Sequence, residues 1–225
     1  MIRMKKMFVF AAFLAAVVVL MVAALATTAQ AVVIDSFVNA DFDSGAVTTP
    51  GPFKGFDAPA ATEIIGWTNW GDMRDAGVEA DTAWWLNGYA NQNAAFINTG
   101  GGASNMSSYT IQAGDQFTAS FISWHWWDQG QMTVSLFYND PANVIGSFVV
   151  NTTAWSPTTY NNEASPIAAT PLSVGGTLGI LCQSTGAGNA MLDEVVVNVV
   201  PEPATLTMLV LAGAFGFVYR RIRKK

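Results

Sequence analysis

The chain has 225 residues, of which 51% are apolar and 12% charged, with a formal net charge of −6. Its cations are confined to the ends: Arg3, Lys5 and Lys6 at the start, Arg220, Arg221, Arg223, Lys224 and Lys225 at the finish, and only Lys54 and Arg74 between. From Val32 to Val200 two cations face fifteen carboxylates, which excludes nucleic-acid binding by phosphate neutralisation.

Arg3, Lys5 and Lys6 precede an unbroken apolar run from Phe8 to Ala26, followed by Thr27, Thr28 and the small-x-small triplet Ala29-Gln30-Ala31. This is the three-part plan of a secretory signal, predicting a signal helix over residues 1–31 and cleavage by signal peptidase after Ala31. The alternative is an uncleaved anchor, because a run of this length nearly spans the roughly 30 Å of bilayer hydrocarbon. Under either reading the middle of the chain is exported.

The stretch 32–199 is long enough for one domain with a sizeable core and shows no internal repeat. Gln131 to Tyr138 alternates, with Met132, Val134, Leu136 and Tyr138 on one face and Thr133, Ser135 and Phe137 on the other, as a half-buried strand requires. Further strands are predicted at Val32–Val38, Ala94–Asn98, Gln116–Trp124, Ile145–Val150, Thr177–Gln183 and Met191–Val199. Turns are expected at Ala113-Gly114-Asp115, Asn139-Asp140-Pro141, Gly175-Gly176 and Gly186-Ala187-Gly188-Asn189. Many short strands without a long amphipathic helix predict an all-β sandwich or barrel.

Near the start of this stretch stand Val38-Asn39-Ala40-Asp41-Phe42-Asp43 and Ile64-Ile65-Gly66-Trp67, and near its end Met191-Leu192-Asp193-Glu194-Val195. That framework resembles the galactose-binding-like jelly rolls found as carbohydrate-binding modules, departing from their usual pattern at Ala40, Asp43 and Glu194. The resemblance implies a jelly-roll β-sandwich of about eight strands in two sheets, and a structural calcium ion (Ca2+) at the positions matching Asp43 and Asp193, with Asp41 a weaker candidate. Simple alternation puts Asp193 in one row with Met191, Val195, Val197 and Val199, where a carboxylate needs a partner. Calcium would be one such partner, and backbone N–H groups at a strand end would be the other.

Cys182 is the only cysteine, so no intramolecular disulfide can form, and its alternation with Leu178 and Ile180 predicts a buried, inert thiol. His125 is the only histidine, which excludes a multi-histidine metal site and leaves a structural or surface role. All eight tryptophans lie in the exported stretch. Trp67, in the Gly-Trp pair, and one of Trp84 and Trp85 are expected in the core, since each ring buries a large apolar area. Trp126 and Trp127, beside the turn Asp128-Gln129-Gly130, are expected to be exposed. Trp84, Trp85, Trp126 and Trp127 are therefore the candidates for stacking on sugar rings, with core packing or protein contact as alternatives.

Val200-Pro201-Glu202-Pro203 leads into an apolar run from Leu206 to Tyr219 and the basic cluster Arg220 to Lys225. Two prolines around a glutamate fit neither strand nor helix, so the motif is expected to be extended and accessible to an enzyme. The run behind it is short for a membrane span, about 21 Å as a helix, with Tyr219 and the arginines able to snorkel. Motif, helix and basic cluster over 200–225 resemble the PEP-CTERM sorting signal of Gram-negative bacteria; a plain C-terminal anchor is the alternative. The resemblance implies a transmembrane sorting helix, handling by an exosortase, and a place at the cell surface or in the exopolysaccharide matrix.

These readings combine as an exported, non-catalytic surface or matrix protein contacting extracellular polysaccharide. Two rivals remain: a secreted glycoside hydrolase or lyase using paired carboxylates, and an envelope protein that adheres to other proteins. Fifteen carboxylates make some pair inevitable, so a pair alone does not indicate catalysis.

Overall fold

The computed structural model describes residues 31–43, 54–55, 64–71, 77–79, 93–125, 129–186 and 189–200. The predicted signal helix, the transmembrane sorting helix, and Trp84, Trp85, Trp126, Trp127, Pro201, Glu202 and Pro203 lie outside these residues. Ala31–Val200 forms a compact unit. All of its regular structure among the described residues is strand.

The strands are β1 (Val32–Val33), β2 (Lys54–Gly55), β3 (Trp67–Gly71), β4 (Gly77–Glu79), β5 (Ala94–Ile97), β6 (Gly101–Thr110), β7 (Gln116–His125), β8 (Gly130–Tyr138), β9 (Asp140–Thr152), β10 (Thr158–Asn161), β11 (Ile167–Ala168), β12 (Thr177–Ser184) and β13 (Ala190–Val200). One sheet runs β10-β7-β13-β5-β4-β2, with β1 also on β13 and β11 also on β7; the other runs β3-β6-β12-β8-β9. This is the two-sheet jelly-roll architecture expected from the sequence, with several two- to five-residue strands added to the eight or so anticipated.

The core is the space between the sheets. Alternate residues of β8 and β12, namely Met132, Val134, Leu136, Leu178, Ile180 and Cys182, meet Phe117, Ala119, Phe121 and Val197 of the eight-stranded sheet. Trp67 is in this core at 2% exposure, its indole nitrogen donating to the Asn39 carbonyl at 3.0 Å and its ring 5.0 Å from that of Phe42. Cys182 is a fully buried free thiol whose pKa burial drives upward, as its place in an apolar row predicted.

Two expected strands differ in detail. The strand predicted at Val32–Val38 stops at Val33, and the chain then turns, with Asn39 and Phe42 in left-handed conformation at φ 50° and 55°. This loop is pinned by side chains: Asn105 Nδ2 donates to the Val38 carbonyl at 2.7 Å, an inward-facing amide that supplies the bond a strand partner would have made.

In β13 a bulge breaks the alternation. Asp193 pairs with Ile122 but Val196 pairs with Ser120, so three steps on β13 match two on β7, and Glu194 takes φ 48°. The extra residue turns the strand over. Met191 and Asp193 therefore share the face of Trp124 and Ile122, while Val195, Val197 and Val199 lie on the opposite face with Ala119 and Phe117. The single row expected to hold Asp193 among valines does not exist.

Candidate functional site

The outward face of the five-stranded sheet has a buried centre, at Phe137, Leu181, Ser104 and Ser135, and exposed residues around it. Cross-strand registers define its rows. Val144, Phe137, Gly179 and Met106 form one; Ser147, Ser135, Leu181, Ser104 and Thr68 the next; Val149, Thr133, Gln183, Gly102 and Trp70 the third; Asn151 and Gln131 the fourth. No charged side chain stands in these rows, although the exported stretch is strongly acidic.

Two glycines make the face flat. A Cβ on Gly179 would fall 2.2 Å from Phe137 Cζ, so the phenyl ring lies across the glycine. A Cβ on Gly102 would fall 2.8 Å from Gln183 Cγ and 3.3 Å from Leu181 Cδ1. Phe137 and Leu181 are thereby buried on the solvent-facing side of the sheet by lying over their neighbours. At the far end Gln131 Nε2 donates to Asn151 Oδ1 at 3.0 Å, fixing two exposed amides, and half-buried Trp70 borders the floor beside Gly102. Ser104 and Ser135 are buried within the floor, so its accessible groups are the hydroxyls of Thr68, Thr133 and Ser147 and the amides of Gln131, Gln183 and Asn151, beside exposed Val144, Val149 and Met106. With an indole at the rim these can hydrogen-bond hydroxyl groups and cover an apolar ring face.

Sequence reasoning placed sugar contacts on other tryptophans and passed over Trp70, Gln131, Gln183 and Asn151. The available signal was the second face of the strand over 131–138, where Gln131, Thr133, Ser135 and Phe137 alternate with the core row.

His125, one of the two roles left open for it, proves structural. It is fully buried at the end of β7, with Nδ1 paired to the Thr152 hydroxyl and Nε2 3.5 Å from Ser184 Oγ. Ser184 is itself fully buried, so solvent and substrate reach neither group. Desolvation lowers the His125 pKa below its ordinary 6.5. As the pH falls below about 6.5 the unfolded chain takes up this proton before the folded one, so stability is lost over that interval. His125 being the sole histidine, its ring proton resonances should titrate with a midpoint below 6.5, and thermal unfolding should fall to lower temperature between pH 7.5 and 5.5. A midpoint at or above 6.5 would contradict the buried placement.

The two predicted calcium ligands approach the same end of β5. Asp43 Oδ1 accepts from the Asn93 N–H at 3.0 Å, one residue before β5 begins. Leu192 pairs with Ala95, which brings Asp193 alongside Ala94. Asp193 is fully buried and its Oδ1 accepts from the Glu194 N–H at 2.7 Å, while the neighbouring Val195 N–H donates to the Ala40 carbonyl at 2.9 Å. The opening loop and the closing bulge are thus stitched together, with Asp41 and Glu194 lining an open cavity of about 450 Å³ between them. Among the described residues no three His, Cys, Asp or Glu side chains converge as a metal cluster, so a hard cation here would draw on two carboxylates and backbone carbonyls.

Residues 199–224 match the PEP-CTERM protein-sorting motif. The chain carries a sorting tail. That motif indicates export and envelope-associated sorting in Gram-negative bacteria. No curated protein matches the chain. Among solved structures, the Stig cyclase Fisc from Fischerella sp. TAU is similar with a TM-score of 0.59 and 16% identity, over 76% of this chain and 99% of that one. A second cyclase from Fischerella sp. TAU gives 0.56 and 16%, over 76% and 98%. The CBM22-1 xylan-binding domain of Paenibacillus barcinonensis Xyn10C gives 0.49 and 15%, over 76% and 97%. At such identities these likenesses concern the fold alone.

Proposed function

We propose that this is a non-catalytic, exosortase-sorted protein of the cell surface or extracellular matrix, which contacts neutral polysaccharide through the outward face of its five-stranded sheet. The observation that carries the reading is that face: its rows hold no charge in a strongly acidic domain, present threonine, serine and amide groups between exposed apolar side chains, and are rimmed by Trp70. Absence of charge from these four rows suits an uncharged, hydroxyl-rich ligand and disfavours sulfated or uronate chains. The burial of the only histidine removes histidine-based chemistry and leaves the carboxylate rival to the turnover assay. Glycan-array binding measured beside reducing-sugar release tests the reading: binding without turnover is expected, turnover would favour a glycoside hydrolase or lyase, and neither would favour protein adhesion.

Processing follows from the two flanking signals. The mature chain is expected to begin at Val32 and to lose its tail near Pro201, which terminal mass spectrometry of the native surface protein reads directly. An intact Lys225 on that protein would refute tail removal.

We further propose a structural calcium ion held by Asp43 and Asp193, a reading supported by their approach to one end of β5. An ion binding only the native state at a hundredfold excess over its Kd adds about 2.7 kcal/mol. For a domain of this size that raises Tm by about 5–10 °C. Equal midpoints in calcium and chelator, or an unchanged calcium response in Asp193→Asn, would remove the ion from the account.

A further inference from the structure

The end of the sandwich from which the chain departs toward its tail carries bare apolar side chains. Val200 pairs with Gln116, Ala168 pairs with Gln116 from the other side, and Val32 pairs with Val199, so β1, β7, β11 and the last residue of β13 all meet at one pole. The turn between β11 and β12 projects there. It is held to the loop after β6 by Gly175 N–H donating to the Ile111 carbonyl and Ile111 N–H to the Gly176 carbonyl, each at 2.9 Å. Its inside is locked by buried Ser173, whose Oγ accepts from the Thr170 N–H and donates to the Thr170 carbonyl, both at 2.9 Å.

This rigid turn displays Leu172 at 80% exposure, with Val174 at 43% beside it, and Val32 and Val33 are also exposed at this pole. A leucine pinned outward cannot collapse onto its own domain, so it presents apolar surface that another phase or molecule can cover. The described residues of this pole carry no Lys or Arg, so a covering surface gains nothing there from cationic attraction and the apolar side chains carry the contact.

The length of the tail says what lies within reach. Only Pro201 to Thr205 separate Val200 from the apolar run that begins at Leu206. Even fully extended, six steps span about 21 Å. A sandwich tethered through that run is held with this pole close to the bilayer, where a weak apolar contact acts at high effective concentration.

We propose that, in the membrane-tethered precursor, the pole rests on the lipid surface and the Pro171–Gly176 turn inserts Leu172 into the bilayer interface, which sets the orientation in which the Pro-Glu-Pro segment is offered for sorting. The inference depends on the sorting-tail reading above, in that the apolar run must hold the membrane. Four exposed aliphatic side chains, without a basic patch, give too little burial to bind lipid unaided, so the contact exists only while the tether does.

The test uses Val32–Lys225 reconstituted in phosphatidylcholine vesicles, with an environment-sensitive fluorophore on Leu172→Cys or, at the opposite pole, on exposed Thr185→Cys. Cys182 is fully buried and stays unlabelled. Doxyl-labelled lipid is expected to quench the probe at 172 about twofold or more and to leave the probe at 185 nearly unchanged. The released Val32–Val200 domain should show no quenching at either position. A chain that floats with the vesicles but shows no difference between the two positions overturns the lipid contact while keeping the tether. Shielding of position 172 only when a sorting peptidase is co-reconstituted assigns the pole to a protein and also overturns it. A chain that does not float refutes the tether, and the inference with it.

Discussion

Gly130→Ala is expected to destabilise the domain by about 3 kcal/mol or more, one of the largest effects available to a single methyl group. A Cβ at this position would fall 2.0 Å from His125 Nε2 and 2.2 Å from Cδ2. The imidazole cannot retreat. It is wholly buried, with Nδ1 engaged by Thr152 and Nε2 facing Ser184, and any rotation would leave a buried polar atom without its partner. The glycine backbone cannot move away freely either, because a Cβ on Gly186 would already lie 2.4 Å from the Gly130 Cα. Urea unfolding of Val32–Val200 reads the cost. Combining the substitution with His125→Ala should restore much of the lost stability, since the clash then disappears and the two changes become strongly coupled. A stability within about 0.5 kcal/mol of the parent would contradict this packing.

The second large effect concerns the sheet face. Trp70→Ala and Gln131→Ala are each expected to weaken binding of neutral polysaccharide about tenfold, a loss of about 1.4 kcal/mol. Trp70 is half-buried at the edge of the sheet, so its truncation removes a stacking surface without opening the core, where Trp67 fills the corresponding inward place. Gln131 is exposed and its amide is oriented by Asn151, so its loss removes a preset polar group. Both variants should unfold near the parent midpoint. Affinity electrophoresis through gels containing neutral polysaccharide measures the effect, and full retention of binding by both would place the contact elsewhere.

Much of this architecture was legible because burial imposes a period of two. Gln131–Tyr138, Thr177–Gln183 and Gln116–Trp124 read as strands since their inward positions hold large apolar residues, and the structure places them within a residue or so of the expected limits. The strand Gly101–Thr110 was missed for the converse reason. Its inward residues include Ala103 and Asn105, small or polar, and its neighbours are serines and glycines, so no hydropathy contrast marks it. Asn105 is tolerated there because it serves the Val38 carbonyl, a contact 67 residues away that no local pattern encodes.

The candidate face suffered from the same blindness. Its rows are assembled across five strands from registers, and one row joins Val149, Thr133, Gln183, Gly102 and Trp70 from widely separated segments. Trp84, Trp85, Trp126 and Trp127, the candidates the sequence offered, lie outside the described residues, whereas this surface is made by strand pairing that no adjacency in the sequence encodes. The bulge at Asp193 was equally invisible, because a one-residue insertion alters no residue type and yet reverses the face of everything beyond it.

If neutral glycan lies on the outward face of the five-stranded sheet, chemical-shift mapping of Val32–Val200 titrated with a neutral oligosaccharide locates it residue by residue. Saturable shifts are expected, confined to the Trp70 indole N–H, the side-chain amides of Gln131, Asn151 and Gln183, and backbone amides near Thr133 and Ser135. Shifts centred on the eight-stranded sheet, or none with any neutral oligosaccharide, would contradict that placement.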